Sequence, residues 1–150
     1  MKLIDVKLVL FPTDFSEYSL HALKKAVEVA KENNAKLYLI HVIEEPQYWY
    51  VEGHIYYHQF AKEMGIEVSA RIEKIKEEYC GNLDVETTIL RGIPYYEIVK
   101  YASDKKIDLI IIGTHGRSGL EHILMGSTTE KVVRKSSCMV LVIKSIKNSA

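Results

Sequence analysis

Glycine and hydroxyl residues are concentrated in one stretch of the sequence, IIIGTHGRSGLEHILMGSTTEKVVRK, residues 110–135. They are Gly113, Gly116, Gly119, Gly126, Ser127, Thr128 and Thr129. An apolar run ends at Gly113, where the missing Cβ would let a ligand approach the backbone, and Gly116 permits a positive φ. The hydroxyls stand at the predicted start of a helix, whose first N–H groups are unpaired and carry a partial positive charge. This combination suits a phosphate group.

A helix cap is the alternative interpretation of the same residues. Ser127 and Glu130 have the S-x-x-E spacing of a capping box, in which Ser127 would cap its own helix. Such a cap accounts for Ser127 and Gly126 but leaves Gly113 and Gly116 unexplained. The pattern therefore favours phosphate binding, while a capping role of Ser127 stays open.

The composition limits the classes of partner. The chain has 150 residues, and its 20 Lys plus Arg balance 20 Asp plus Glu, so the formal net charge is zero. Without a global basic field we expect no binding to nucleic acid or to an anionic membrane. No apolar run approaches the ~20 residues of a membrane span, and the N-terminus does not resemble a signal peptide. Cys80 and Cys138 lack metal-ligand spacing, which fits a reducing cytoplasmic location.

Short apolar runs alternate with helical patterns along the chain. Strands are predicted at 6–11, 36–42, 84–90, 107–112 and 139–143. Helices are predicted over 16–33, capped by Ser16, over about 60–79, from Pro94 through Ala102, and after Gly126. Five strands separated by four helices predict a single α/β domain over residues 1–150, with an open parallel sheet and helices on both faces. Ligands of such sheets bind outside the carboxyl ends of the strands, where the winding reverses.

The glycine stretch also carries a family resemblance. Gly113-x2-Gly116-x9-Gly126-Ser127-Thr128 resembles the nucleotide-binding signature G-x2-G-x9-G-[ST] of the universal stress protein family, in its ATP-binding branch. The segments VLFPTDFSEYSLHALKKAVEVA, LYLIHVIE, GIPYYEIVKYA and CMVLVIK are similar to that family's first strand and helix, second strand, mid-chain helix and last strand. The resemblance covers nearly the whole chain and implies a Rossmann-like fold with strand order 3-2-1-4-5.

The resemblance implies that ATP is bound by ten residues. They are Pro12, Thr13, Asp14, Val42, Gly113, Gly116, Arg117, Gly126, Ser127 and Thr128. Asp14 would face the adenosine end, and the backbone of Val42 would read the adenine edge. Asp14 could equally be an ordinary turn or helix-start residue, and the backbone role of Val42 cannot be seen in a sequence.

The remaining residues would hold the ribose and the phosphates. Gly113 and Gly116 would lie along them, and the first turn after Gly126 would bind the phosphates by N–H and hydroxyl groups. Arg117 either reaches a phosphate or is a solvated loop residue. Mg²⁺ or Mn²⁺ would come with the nucleotide, held mainly by phosphates and water. His54 and His58 have helical zinc-ligand spacing but no carboxylate partner, so we expect no metal site of the protein's own.

Two functions of different class remain. The favoured one is a dimeric, nucleotide-dependent regulatory or stress-response switch with little or no turnover, acting on a downstream protein that the sequence does not identify. The alternative is a slow ATPase or phosphotransfer enzyme on the same fold. The dimer is expected through the last strand, Met139 to Ile143, because a bare apolar sheet edge requires a cover and the family pairs these strands. An aromatic segment from Tyr48 to Tyr57 is expected to respond to the nucleotide.

Overall fold

The computed structural model describes residues 1–45, 54–115 and 125–144, and it describes the side chains of these residues except for 54–58. The side chains of the predicted aromatic segment Tyr48–Tyr57 lie outside the described residues. In the parts of the chain that are described, no helix is long and apolar enough to cross a membrane.

Strands and helices alternate as the sequence predicts. They are β1 (Leu8–Pro12), α1 (Glu17–Glu32), β2 (Lys36–Glu44), α2 (His54–Tyr79), β3 (Val85–Gly92), α3 (Pro94–Asp104), β4 (Leu109–Gly113), α4 (Ser127–Lys135) and β5 (Met139–Ile143). The predicted Ser16 cap is confirmed, because the Ser16 hydroxyl accepts a hydrogen bond from the Ser19 amide at 3.1 Å. Pro94 lies in the first turn of α3, where no N–H is needed.

The five strands form one parallel sheet in the order β3-β2-β1-β4-β5. The predicted α/β class and strand order are therefore confirmed, with β5 at an edge. The chain winds outward from β1 in one direction and from β4 in the other. The carboxyl ends of β1 and β4 are consequently neighbours, at the place where the winding reverses.

The three central strands of the sheet, β1, β2 and β4, are buried on both faces. Alternate residues of one strand point to opposite sides, so that Phe11 packs in one hydrophobic cluster and Leu10 in the other. The first cluster joins the sheet to α1 and α2 through Leu23 and Ile72. The second joins it to α3 and α4 through residues such as Val132. Two cores of this kind make a rigid platform, from which the loops at the carboxyl ends project.

Candidate functional site

A cavity of about 280 Å³ lies at the carboxyl ends of β1, β2 and β4. It is lined by Pro12, Thr13, Asp14, Ser19, His41, Val42, Glu44, Pro94, Ile98, Ile112, Gly113, His115, Gly126, Ser127, Thr128 and Thr129. Eight of the ten predicted residues are among them, although they come from three distant parts of the chain. The other two, Gly116 and Arg117, lie outside the described residues.

The first turn of α4 forms one wall of the cavity. Gly126 is the N-cap, and Ser127 is already the first residue of the helix, so Ser127 is not at the position from which a capping side chain acts. The Glu130 carboxylate accepts a hydrogen bond from Arg134 at 2.6 Å. The capping-box interpretation is therefore wrong, because the helix begins one residue earlier than that motif requires.

Two hydrogen bonds fix the start of α4 against the end of β4. The Gly126 amide donates to Thr114 O at 2.6 Å, and the buried Thr129 hydroxyl donates to Gly113 O at 2.7 Å. The first bond within the helix runs from the Glu130 amide to Gly126 O. The amides of Ser127, Thr128 and Thr129 precede it, so they are the backbone donors that the helix offers to the cavity.

The backbone conformation of Gly126 decides whether glycine is needed there for steric reasons. Its φ of −66° and ψ of 157° are extended values that any L-residue adopts. Among the described glycines, positive φ occurs at Gly81 and Gly92, and neither lines the cavity. The conformation of Gly126 thus does not require glycine, whereas a close approach of a ligand to the backbone would.

The loop between β1 and α1 forms the opposite wall. Thr13 Oγ1 lies 2.9 Å from Ser19 Oγ and accepts from the Phe15 amide at 3.1 Å. Asp14 lines the cavity, and its Oδ1 accepts from the Ser16 amide at 2.9 Å. Asp14 therefore has the turn role that the sequence left open and is also placed to face a ligand.

His41, a residue of β2, holds this loop by a hydrogen bond and a ring contact. Its Nδ1 lies 2.6 Å from Thr13 O, and because a carbonyl oxygen only accepts, Nδ1 carries the proton. The ring centroids of His41 and Phe15 are 4.5 Å apart. The guanidinium of Arg71, a residue of α2, lies 4.3 Å from the Phe15 ring centroid. Phe15 has a φ of 66°, a left-handed conformation that costs an L-residue about 1–2 kcal/mol. The packing around Phe15 holds the loop in this conformation.

Sequence reasoning missed several residues of the lining. Ser19, His41, Glu44, Pro94, Ile98 and Ile112 were not predicted as site residues. His41 and Glu44 flank the predicted Val42 at the end of β2, and Pro94 follows the end of β3, so the carboxyl-end rule could have found these three. Ser19 and Ile98 lie inside helices, where only the tertiary structure shows that they face the cavity.

The charges of the lining are few. Within the described part of the chain, the lining contains two carboxylates, Asp14 and Glu44, and neither lysine nor arginine. The described residues also contain no group of three or more His, Cys, Asp or Glu side chains that could hold a metal ion. Among the described lining residues, the groups that could bind an anion are therefore helix amides and hydroxyls.

The fold and the cavity define a doubly wound α/β protein with a cavity at the reversal of strand order. The family model described as "Universal stress protein family" matches residues 6–144, so the chain belongs to the universal stress protein family. It is 38% identical to universal stress protein MJ0531 of Methanocaldococcus jannaschii, over 92% of this chain and 82% of that one. It is 36% identical to universal stress protein MJ0577 of the same organism, over 92% and 94%.

Solved structures agree with this assignment. The structure of MJ0577 superimposes with a TM-score of 0.84 at 39% identity, covering 95% of this chain and 98% of that chain. A universal stress protein crystallised in complex with cAMP superimposes with a TM-score of 0.60 at 28% identity, covering 91% and 95%.

Proposed function

We propose that the protein binds ATP in the cavity at the carboxyl ends of the strands and acts as a nucleotide-dependent switch in a stress response. The observation that carries the proposal is the start of α4, which offers the amides and hydroxyls of Ser127 and Thr128 next to a residue without a Cβ, Gly126. The helix dipole favours an anion at this place. The relative that was solved with cAMP supports an adenine nucleotide as the class of ligand.

The lining suggests the orientation of the nucleotide. The phosphates would lie at the first turn of α4, and Gly113 would lie along them. The adenosine would lie towards Val42, Pro94 and Ile98, which supply apolar surface, with Asp14 facing the sugar. The backbone of Val42 would read the adenine edge. Gly116 and Arg117 would complete the phosphate end, as the family resemblance implies.

The charge of the triphosphate has to be balanced by something other than the described lining. Mg²⁺ or Mn²⁺ fits this need, because such an ion binds phosphate oxygens and keeps several waters, and so requires few protein ligands. We therefore propose that the metal enters with the nucleotide. Its removal with a chelator should weaken ATP binding and leave the apoprotein's melting temperature unchanged.

The same lining argues for slow turnover. Hydrolysis needs an oriented water and a cation that meets the developing charge, and the described lining supplies no lysine or arginine. Phosphate release by the purified protein with Mg²⁺ should stay near the uncatalysed background, and His115→Ala should not change it. A turnover near one per second, typical of enzymes, would favour the slow ATPase or phosphotransfer alternative.

ATP binding can be tested directly. Protein purified from cells would be denatured by heat and the released nucleotide identified by mass spectrometry, and ATP affinity would be measured by calorimetry with Mg²⁺. Gly126→Val places a branched side chain where phosphate approaches and should weaken ATP at least about a hundredfold, a loss comparable with a large binding hot spot. Lys25→Ala, an exposed change on α1, should bind like the wild type. Absence of ATP affinity in the wild type at millimolar ligand would refute the proposal.

We also propose a homodimer through β5, in which the two copies pair antiparallel. β5 is the edge strand of the sheet, and Met139 is 52% exposed. Ile143 O accepts from the Thr114 amide, so the backbone groups of Ile143 and Leu141 face β4, and by alternation those of Val140 and Val142 face outward. A second chain could pair with these groups.

A proline scan of β5 would test the dimer. Val142→Pro removes an outward donor and should give monomers in light scattering, since its N–H does not serve the pairing with β4. Leu141→Pro is the matched control, because it should damage the fold instead. A monomeric wild type at micromolar concentration would contradict the dimer. In the cytoplasm, where we place the protein, such a dimer would present two nucleotide sites to a downstream protein.

A further inference from the structure

The guanidinium of Arg91 connects three elements near the cavity. Arg91 is the penultimate residue of β3. Its Nη1 donates to Glu45 Oε1 at 3.1 Å, and Glu45 directly follows β2, with its side chain only 2% exposed. Its Nη2 donates to the carbonyl oxygen of Ala61 in α2. One side chain thus joins the ends of β2 and β3 to the first half of α2.

The helix is shaped to receive this group. A Cβ at Gly65 would lie 2.9 Å from Arg91 Nη2, closer than packed atoms approach each other. A glycine inside a helix costs about 1 kcal/mol relative to alanine, so its presence requires a compensating contact. The approach of the guanidinium supplies one, and Gly65 is explained by tertiary packing and not by a break in the helix.

Burial differs along the described part of α2. Residues 59–67 are all exposed or half-buried, and the first buried residue of the described helix is Val68. The second half is anchored by Val68, Ile72 and Ile75 in the core. Hydrophobic burial therefore anchors α2 most firmly from Val68 onward. In residues 59–67 the half-buried Met64 packs against the core, and Arg91 adds a polar contact through Ala61.

The other end of the contact belongs to the cavity wall. Val42 and Glu44 line the cavity, and Glu45 follows them directly, with its amide donating to Gly92 O at 3.2 Å. We propose that Arg91 is a positioning residue that joins this wall, residues 42–45, and the first half of α2 into one unit, so that nucleotide binding and the anchoring of α2 are coupled. The coupling rests on the proposed ATP site; the mechanical connection does not.

The variants must separate this connection from a loss of the fold. Arg91→Ala removes the guanidinium that pairs with the buried Glu45 carboxylate, which can cost enough stability to unfold a domain. The double variant Arg91→Ala/Glu45→Gln removes the Glu45 charge as well as the connection. Arg91→Lys keeps the charge but lacks the fork that reaches two acceptors. Lys74→Ala is the control, because Lys74 is on the same helix with its side chain 76% exposed.

Hydrogen exchange without nucleotide tests the connection. In Arg91→Ala/Glu45→Gln, amides of residues 59–67 and of residues 42–45 should exchange at least about tenfold faster, and they should do so together, as expected for a cooperative unit. Lys74→Ala should exchange like the wild type. Unchanged exchange in either segment of the double variant would overturn the proposal.

Calorimetry and hydrogen exchange with ATP together test the coupling. Because coupling between sites is reciprocal, ATP should slow exchange in residues 59–67 of the wild type, and the double variant should bind ATP about fivefold or more weakly. The ATP affinity of Arg91→Lys should lie between that of the wild type and that of the double variant. Equal ATP affinity in the double variant and the wild type would refute the coupling. No ATP binding by the wild type would instead refute the proposed function, while the exchange experiment would still decide whether Arg91 joins the two segments.

Gly65 offers an independent check from the side of the helix. Gly65→Ala should speed exchange in residues 59–67 of the wild type, because the new Cβ displaces the guanidinium. The same substitution in the Arg91→Ala/Glu45→Gln background should slow exchange, because alanine is the better helix former when nothing occupies the space. An identical effect of Gly65→Ala in both backgrounds would show that the two residues do not interact.

Discussion

The two ends of the sheet use buried polar groups in different ways. In the described part of the chain, the buried polar residues near the carboxyl ends are Thr13, Ser19, His41, Glu45, Thr114 and Thr129, whereas Asn33 is the one near the amino ends. Asn33 Oδ1 accepts a hydrogen bond from the backbone amide of Leu3 at 2.6 Å, and Asn33 Nδ2 donates to Met1 O and Val29 O. Those bonds pair the Asn33 side chain with backbone groups of the chain itself. At the carboxyl end, Thr13, Ser19, His41 and Thr129 line the cavity.

A second concavity shows why space alone does not make a phosphate site. It lies at the amino end, measures about 630 Å³, is more open to solvent, and includes Lys31, Asn34, Gly81 and Asp84 in its lining. α1 and α2 both end beside it, at Glu32 and Tyr79, so helix carbonyls and their partial negative charge point there. α4 begins at the other cavity and presents amides. The direction of the helices decides which end attracts an anion.

The largest effect on stability is expected at the amino end. Asn33→Ala removes the acceptor for the Leu3 amide and the donor for two carbonyls, and should lower the free energy of unfolding by about 2–3 kcal/mol. ATP affinity should not change, because no contact of Asn33 reaches the cavity. Urea unfolding and calorimetry would measure the two quantities, with the exposed Asn82→Ala as the control. A loss of ATP affinity in Asn33→Ala would contradict the distinction between a structural role at the amino end and ligand binding at the carboxyl end.

Asp14 tests whether one residue at the carboxyl end has both a structural and a binding role. Asp14→Asn retains an oxygen that accepts from the Ser16 amide but removes the charge, so it should weaken ATP about tenfold at little cost in stability, as for a hydrogen bond to a charged group. Asp14→Ala should lose the same affinity and about 1 kcal/mol of stability in addition.

The comparison of these two variants separates the roles. Calorimetry gives the affinity and thermal unfolding gives the stability of each. If Asp14→Asn binds ATP like the wild type, the residue serves only the turn, and the ligand role that the family resemblance implies for it is wrong.

A matched pair of glycines tests the same contrast with a smaller change. Gly81 has a φ of 56°, so Gly81→Ala should cost about 1 kcal/mol of stability through backbone strain and leave ATP binding unaffected. Gly126 has a φ of −66°, so Gly126→Ala should not lower stability but should weaken ATP several-fold, less than valine does. Denaturant midpoints and ATP titrations would measure both. The reverse pattern would contradict the close-approach explanation of Gly126.

The smallest effect is expected from a half-buried ion pair near the amino end. Lys36 Nζ lies 2.9 Å from Glu86 Oε2; this hydrogen bond lowers the pKa of Glu86 from its ordinary value of 4.5 and raises the pKa of Lys36 from 10.5. The contribution of Glu86 to stability is thus present above pH 4.5 and lost as the pH falls through its folded pKa. That of Lys36 is present below pH 10.5 and lost as the pH rises through its folded pKa.

Glu86→Gln provides the measurement. The difference in unfolding free energy between this variant and the wild type should be greatest between pH 4.5 and pH 10.5, and it should vanish below the folded pKa of Glu86 and above that of Lys36. High salt should reduce it, since both side chains are partly in contact with solvent. ATP affinity should be the same in both proteins at every pH. A difference that persists below the folded pKa of Glu86 would show that the carboxylate charge is not its source.

Local chemistry determined the elements of this protein. Ser16 before an amphipathic run, Pro94 after a strand and the apolar segment 139–143 each specify a helix start or a strand through their own side chains. The alternation of these elements then limits the sheet to a parallel one with its ligand site at the carboxyl ends. The glycine and hydroxyl residues around position 126 could be singled out for the same reason, because a helix start favours an anion through its own unpaired amides and dipole.

Other features depend on residues that are far apart in the sequence. The choice between a cap and an open helix start at Ser127 was decided by the position of Gly126, which two hydrogen bonds to the end of β4 help to fix. His41 belongs to the site because β1 and β2 are neighbours, and Gly65 is tolerated because Arg91 reaches it from β3. Sequence patterns report which groups a residue carries, but these contacts arise only when the sheet brings separate segments within hydrogen-bonding distance.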